Sequence, residues 1–541
     1  MITSARKPLV LSALIGALAV AVLLAGARPA SAAAYAQIEG SGSTWSQGIV
    51  SQWIAKVSDN GMKIAYNGAG SSQGRKDFAN NVTDFGITEI PYQGKDEFGN
   101  VDTAGSREYA YMPIVAGGTA FTYQLNVAGK QVENLRLSGD TIAKIFTNKI
   151  TNWNDPAIAK DNNGRKLPSL PIVPVVRSDG SGTTAQFTAW MDKMHSSVWR
   201  SYFGRSGLTS YYPKKPGSKM IGASGSDQVM NSISAKSGQG TIGYVEYSYP
   251  VNKGYPVVKM LNKAGYFVEP TQYNVAVALT RAKINQDKSS QNYLTSILDG
   301  VYTASDPRAY PLSSYSYMLL PTGKEDRRMT TAKRQTLTDF MFYSLCQGQN
   351  SAGKLGYSPL PLNLVQAGFT QLKKLSTADP KVNFTNRDVT QCNNPTFTKG
   401  NLSKNHLAEI APQPAKCDKV GAGPCGDATG AAPTTVDQAS GSGKPAAGGD
   451  TPAGGGAPGG DAAVDPGTVD PETGQPAAGG GEVAAGGVGS EAVPTELVSS
   501  RAGDTKVFGA LAAIQLLAIV MAPGVGAVYF RRRARKRQGA L

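Results

Sequence analysis

An α/β body of two lobes, followed by a disordered stalk and one C-terminal transmembrane helix, is the fold class this sequence predicts. Three observations carry the prediction. Between 34 and about 410, short apolar runs alternate with helix-like stretches, the pattern of α/β layers. That body is long for a single core, so two lobes enclosing a cleft are expected. Beyond it the composition shifts to Gly, Ala and Pro, and an apolar run without charge then occupies 507–530.

Residues 1–33 read as a secretory signal peptide. Arg6 and Lys7 start it, 9–25 are apolar, and Ala30-Ser31-Ala32 is a small-residue cleavage site. In the body, 34–410, strands are expected at 63–66, 85–87, 172–176 and 242–245. Helices are expected at 46–57, 73–80, 139–146, 184–193, 226–235 and 331–347. From 411 to 505 a Gly/Ala/Pro-rich acidic stalk is expected. Its stretch 426–505 holds eleven acids against two bases, which favours an extended, self-repelling chain. A transmembrane helix is drawn at 506–530, since 24 apolar residues at ~1.5 Å each cross a ~30 Å hydrocarbon core. The basic tail, 531–541, carries Arg531, Arg532, Arg533, Arg535, Lys536 and Arg537, which places the C-terminus in the cytoplasm and the body outside the cell membrane. No LPxTG precedes the span, so a retained anchor is the reading rather than a sortase signal.

Four Cys, at 346, 392, 417 and 425, lie in the exported part, where disulfides form. Three pairings are open; one of them joins Cys417 to Cys425 as a local loop and Cys346 to Cys392 as a brace. The chain has no CxxC, HExxH or Walker motif, so zinc, thioredoxin and ATPase chemistry are not expected and no cofactor or metal is assigned. Asp161-Asn162-Asn163-Gly164 starts like a calcium loop but is read as a turn. Between 34 and 425, 42 Lys and Arg stand against 28 Asp and Glu, a balance that draws anions. No nucleic-acid module accompanies that charge, so nucleic acid is not an expected partner.

Three Gly/Ser-rich turns carry the functional signal. They are Gly40-Ser41-Gly42-Ser43-Thr44-Trp45, Gly68-Ala69-Gly70-Ser71-Ser72-Gln73-Gly74, and Arg177-Ser178-Asp179-Gly180-Ser181-Gly182-Thr183-Thr184. Each opens a helix, so each offers unpaired backbone N–H groups, short hydroxyls and the positive end of a helix dipole to an anion. Arg177 can add a planar fork for a tetrahedral oxyanion, and Asp179, two residues on, can hold that fork in place.

At these turns the sequence resembles the phosphate-binding protein of phosphate ABC transporters. The likeness spans most of 38–370 and includes Asp84-Phe85-Gly86, Ile150-Thr151-Asn152-Trp153 and Gly243-Tyr244-Val245-Glu246-Tyr247. It implies a two-lobed, type II periplasmic-binding-protein-like fold, with lobe one at 36–115 and 280–400 and lobe two at 116–279. It implies Thr44, Trp45, Ser71, Arg177, Ser181, Gly182 and Thr183 as phosphate contacts, and an ABC permease as a partner. Where the family has an Asp that accepts the phosphate proton, this chain has Glu89, one methylene longer. A membrane anchor is a second departure. The expected function is therefore a non-catalytic, extracytoplasmic receptor for inorganic phosphate, serving uptake or sensing. Two alternatives stand beside it: a surface adhesin or sensor with a vestigial anion site, and a serine hydrolase using Ser72, which fits G-x-S-x-G but would need His195 or His406 as base.

Overall fold

The protein is described from a computed structural model that covers residues 35–387, 389, 392–398, 401 and 404–430. The expected signal peptide, 431–505 of the expected stalk, the expected membrane span and the basic tail lie outside these described residues. Among the described residues no helix is long and apolar enough to cross a membrane.

Eight strands build one mixed sheet: β1 (Ile38–Gly42), β2 (Ile64–Asn67), β3 (Phe85–Thr88), β4 (Tyr109–Tyr123), β5 (Val173–Arg177), β6 (Ile221–Ala223), β7 (Thr241–Glu246) and β8 (Ser313–Pro321). Their spatial order is β6-β5-β7-β4-β8-β3-β1-β2. Two parallel triplets lie at the ends, β2-β1-β3 and β6-β5-β7, and the antiparallel pair β4–β8 joins them. In each triplet the strand order reverses at the central strand, β1 or β5, whose neighbours are added first on one side and then on the other. In open α/β sheets, ligands bind at the carboxyl ends of strands at such a reversal.

The long strand β4 is the seam. Residues 109–118 pair with β8 and 119–123 pair with β7. All but its first residue are buried, which explains its near-continuous apolar run. Gly117 and Gly118 sit where the pairing changes. A Cβ on Gly117 would lie 2.7 Å from the Trp45 ring, and one on Gly118 would lie 2.4 Å from Pro270. Backbone and neighbour approach too closely there for any side chain.

Five helices matter for the site: α1 (Gln47–Ser58), α2 (Ser71–Ala79), α3 (Gly182–Met194), α4 (Gly225–Ser234) and α5 (Thr331–Leu345). α1 presents Ile49, Val50, Trp53 and Val57 to the core at helical spacing. α4 buries Val229, Met230 and Ile233, with Val229 and Ile233 packing on Val175 and Val245. The first four helices each follow a parallel strand, and because the two triplets run in opposite senses along β4, their N-termini face one another across the middle of that strand.

The segment 411–430, expected as the start of the stalk, is packed on the folded body instead. Residues 411–430 fold back on the half of the sheet that holds β5–β7. Asp418 pairs with Lys259 at 2.8 Å, and the Thr429 hydroxyl donates to Val257 O at 2.6 Å. Arg136 donates to Cys417 O at 3.0 Å. Disulfides join Cys346 to Cys392, bracing the end of α5, and Cys417 to Cys425 within this returning segment. The composition shift does not announce this packing, because Asp418 and Thr429 are held by polar contacts, Thr429 by hydrogen bonds with both Glu133 and Val257, that leave no apolar pattern. The 161–164 turn is structural: Asn162 donates to Arg136 O and Ile158 O at 2.9 Å each, and Asn163 and Gly164 take positive φ to end a helix.

Candidate functional site

The turns after β1, β2, β5 and β6 converge between the two parallel triplets. Arg177, the last residue of β5, is 2% exposed. Its Nε donates to Asp179 Oδ1 at 2.7 Å and its Nη2 to Asp179 Oδ2, a two-point grip that fixes the guanidinium plane. Nη1 reaches Ser226 Oγ at 3.4 Å. Asp179 also accepts the Gly225 amide at 3.0 Å. Burial pushes the Asp179 carboxyl up, but the Arg177 fork and that amide outweigh it and hold the group below its ordinary value. Asp179 therefore stays ionised and leaves Arg177 with N–H groups to spare.

Glu89 follows β3 and is 2% exposed. Ser71 Oγ donates to its Oε2 at 2.6 Å, and Ser316 Oγ donates to its Oε1 at 2.9 Å. Burial raises this carboxyl above its ordinary range; hydrogen bonds from Ser43, Ser71 and Ser316 and the Arg177 charge pull it down without cancelling that rise. Gly182 makes the longer side chain possible. A Cβ there would lie 2.1 Å from Glu89 Oε2 and 2.5 Å from Ser71 Oγ. The carboxylate thus abuts the first residue of α3, facing the amides that a helix start leaves unpaired.

Ser181 caps α3, accepting the Thr184 amide at 3.2 Å, and keeps its own hydroxyl proton to donate elsewhere. Thr183 Oγ1, on the same first turn, is buried with no protein partner among the described residues. A buried hydroxyl in that state marks a place for a further hydrogen-bonding group. Thr44 stands across the cleft: its hydroxyl lies 3.0 Å from Ser226 Oγ and accepts the Ser226 amide at 3.3 Å. Tyr249 OH donates to Thr44 O at 2.5 Å. The halves also meet where the Ser72 amide donates to Gly180 O at 3.1 Å and Gln186 donates to Glu89 O at 2.8 Å.

These geometries suit a small tetraoxo anion ringed by helix starts, hydroxyls and one guanidinium. The comparisons with known proteins agree. A family model described as a PBP superfamily domain matches residues 27–347. The phosphate-binding protein PstS of Methanocaldococcus jannaschii is 30% identical over 347 residues, covering 62% of this chain and 86% of that protein. PstS of Pasteurella multocida is 30% identical over 346 residues, covering 64% and 92%. PstS2 of Mycobacterium bovis is 31% identical over 331 residues, covering 60% and 83%. The chain belongs to the phosphate-binding protein family of phosphate ABC transporters.

Of the family contacts carried over by motif, the fold brings Thr44, Ser71, Glu89, Arg177, Ser181, Gly182 and Thr183 into one cluster. Trp45 differs. Its indole lies over Gly117 and meets Tyr357 edge-on at 5.9 Å, so the ring serves the seam of the sheet and its backbone is what it offers the cluster. Ser226, Gln186, Tyr249 and Ser316 are members that the sequence reading missed. A signal existed for Ser226, since Gly222-Ala223-Ser224-Gly225-Ser226-Asp227 is a fourth strand-to-helix Gly/Ser turn. The hydrolase alternative finds no base: His195 packs on Trp190 with ring centres 4.6 Å apart and against Gly139, and no contact joins either His to Ser72 among the described residues.

Proposed function

We propose that this chain is an extracytoplasmic solute-binding protein for inorganic phosphate, held at the cell membrane by its C-terminal segment and serving an ABC permease. The observation that carries the reading is the pairing of two opposite features in one buried cluster. Arg177, locked by Asp179, and the first turns of α2 and α3 supply donors. Glu89, abutting Gly182, supplies a buried acceptor.

A phosphate ion that still bears a proton satisfies both features, because its oxygens accept and its O–H donates to Glu89. Sulfate carries no proton at neutral pH and would face the carboxylate with nothing to give. Thr44, Ser71, Arg177, Ser181, Gly182 and Thr183 are the contacts, with the Trp45 amide beside them. The signal peptide, apolar run and basic tail support the exported, anchored placement. Family membership supports the permease.

Titration calorimetry of the full-length protein in detergent, with phosphate and with sulfate, tests the reading. Saturable heat with phosphate and none with sulfate is expected. Equal affinity for the two, or heat from neither, would overturn it. Arg177→Ala should abolish the phosphate heat, whereas a vestigial site would show no change.

A further inference from the structure

Away from the anion cluster, a second bridge crosses between the halves. Residues 91–102 project as a hairpin in which Gly94–Lys95 pairs antiparallel with Val101–Asp102. Its tip is prebuilt. The Asp96 carboxylate accepts the amides of Phe98 at 3.0 Å and Asn100 at 2.7 Å, and Gly99 takes the φ of +85° that so tight a turn needs.

Its base is fastened to the anion cluster. Arg75, buried on α2, forks onto Asp102 with bonds of 3.0 and 2.8 Å. The same guanidinium donates to Thr88 Oγ1, one residue before Glu89, at 3.1 Å. The hairpin, α2 and the end of β3 therefore move as one piece.

The tip reaches the opposite half. Glu97 Oε1 accepts the backbone N–H of Ser210, and Phe98 meets the Tyr211 ring edge-on with centroids 4.9 Å apart. Ser210 is no ordinary loop residue, because its carbonyl accepts the Ser181 amide at 2.9 Å and Ser181 caps α3. The neighbouring Thr209 is held to α3 as well: its amide donates to Thr188 Oγ1 at 2.9 Å, and that hydroxyl donates to Thr209 O at 3.0 Å.

We propose that Glu97 is a positioning residue for the bound anion. By accepting the Ser210 N–H from across the cleft, it fixes the carbonyl that sets the Ser181 cap and the first turn of α3. It also latches the halves together at a point remote from the ligand. The latch rests on the reading of the cluster as an anion receptor. Because the contact spans both halves, it forms as they close and is broken before the anion leaves. It therefore acts on release rather than capture. Its target is a main-chain N–H, so what position 97 must supply is an acceptor oxygen at that reach.

Stopped-flow measurement of phosphate release from the full-length protein in detergent tests this. Glu97→Ala should speed release about tenfold, the lower end for losing a hydrogen bond to a charged acceptor, while capture changes less than about twofold. Glu97→Gln keeps an acceptor oxygen and should restore release to within about threefold of the parent. Unchanged release in the Ala variant, or equal effects of Ala and Gln, would overturn the proposal. If the parent protein gives no phosphate signal at all, the phosphate reading falls, and hydrogen exchange at 205–212 without added anion decides the latch. Faster exchange in Ala with protection kept in Gln supports it, and no difference ends it.

Discussion

Replacing Glu89 by Gln removes one negative charge and leaves the side chain's size almost unchanged, so the effect isolates what the charge does. In the ionised protein the carboxylate would accept the phosphate O–H. A hydrogen bond to a charged group contributes ~1.5–3 kcal/mol, so phosphate affinity should fall by roughly 10- to 150-fold. Sulfate should move the other way. Two like charges ~4 Å apart at an effective dielectric of ~20 repel by ~4 kcal/mol, and relieving that raises sulfate affinity about a thousandfold. The phosphate-to-sulfate preference should therefore collapse by roughly four orders of magnitude or more, as read by calorimetry with both anions at neutral pH. Stability carries a second signature. Burial raises the Glu89 carboxyl above the ordinary value of 4.5, so the folded protein binds this proton more tightly than the unfolded chain. Ionising it thus costs stability as pH rises from 4.5 through the folded value. Glu89→Gln should raise the melting temperature of the anion-free protein at neutral pH, and the gain should fade as pH falls toward 4.5 and below. An unchanged anion preference, or a gain in melting temperature that persists undiminished in acid, would refute the assignment of Glu89 as a buried, ionised acceptor.

Asp179→Ala releases the Arg177 fork and the Gly225 amide, and phosphate affinity measured by calorimetry should fall about tenfold or more. The Asp179 carboxyl sits below its ordinary 3.8 in the fold, so its contribution to stability is present above that value and is lost as pH falls further; acid melts of the variant should lack that loss. Gly182→Ala places a methyl 2.1 Å from Glu89 Oε2, so the halves cannot close on the anion; affinity should drop by about a hundredfold or more, with circular dichroism unchanged. Replacing Cys417 and Cys425 by Ser should cost about 2–3 kcal/mol in urea unfolding and speed hydrogen exchange at 416–430, while phosphate affinity stays within about threefold.

Much of the fold was legible because its signals are local. The helix expected at 139–146 spans Gly139–Phe146, and the one expected at 184–193 spans Gly182–Met194, starting two residues early at its Ser181 cap. In both, apolar spacing and a capping hydroxyl act within one or two turns of chain. β4 was not legible as a strand. Its interior holds Pro113 and the Gly117-Gly118 pair, which demote a strand locally. What makes it a strand is the pairing on both sides, with β8 and β7, contributed by residues far along the chain. Ser316 was hidden for a related reason. A serine inside the run Ser313–Pro321 says nothing about direction, and its aim depends on register. The β4–β8 ladder shifts by one residue between Ser316 and Tyr317, where Ile114 is the extra residue on β4, and the serine before that shift meets Glu89.

The charges in the cluster explain why so many neutral donors are gathered there. Arg177 is matched by Asp179, so the pair contributes almost no net attraction, and Glu89 adds a negative charge that opposes an incoming anion. The basic surface can draw phosphate toward the cleft, but it cannot hold the ion against that carboxylate. Retention has to come from groups that lose little when the halves are apart and gain when they meet: helix-start amides, the Ser181 and Thr183 hydroxyls, and the guanidinium edge left free by Asp179. Glu89 then turns its unfavourable charge into selectivity, because an anion that brings a proton converts the repulsion into a hydrogen bond. The cost of burying two carboxylates is thus what distinguishes one tetraoxo anion from another, and Gly182, by letting the longer carboxylate reach the start of α3, is the residue on which that distinction turns.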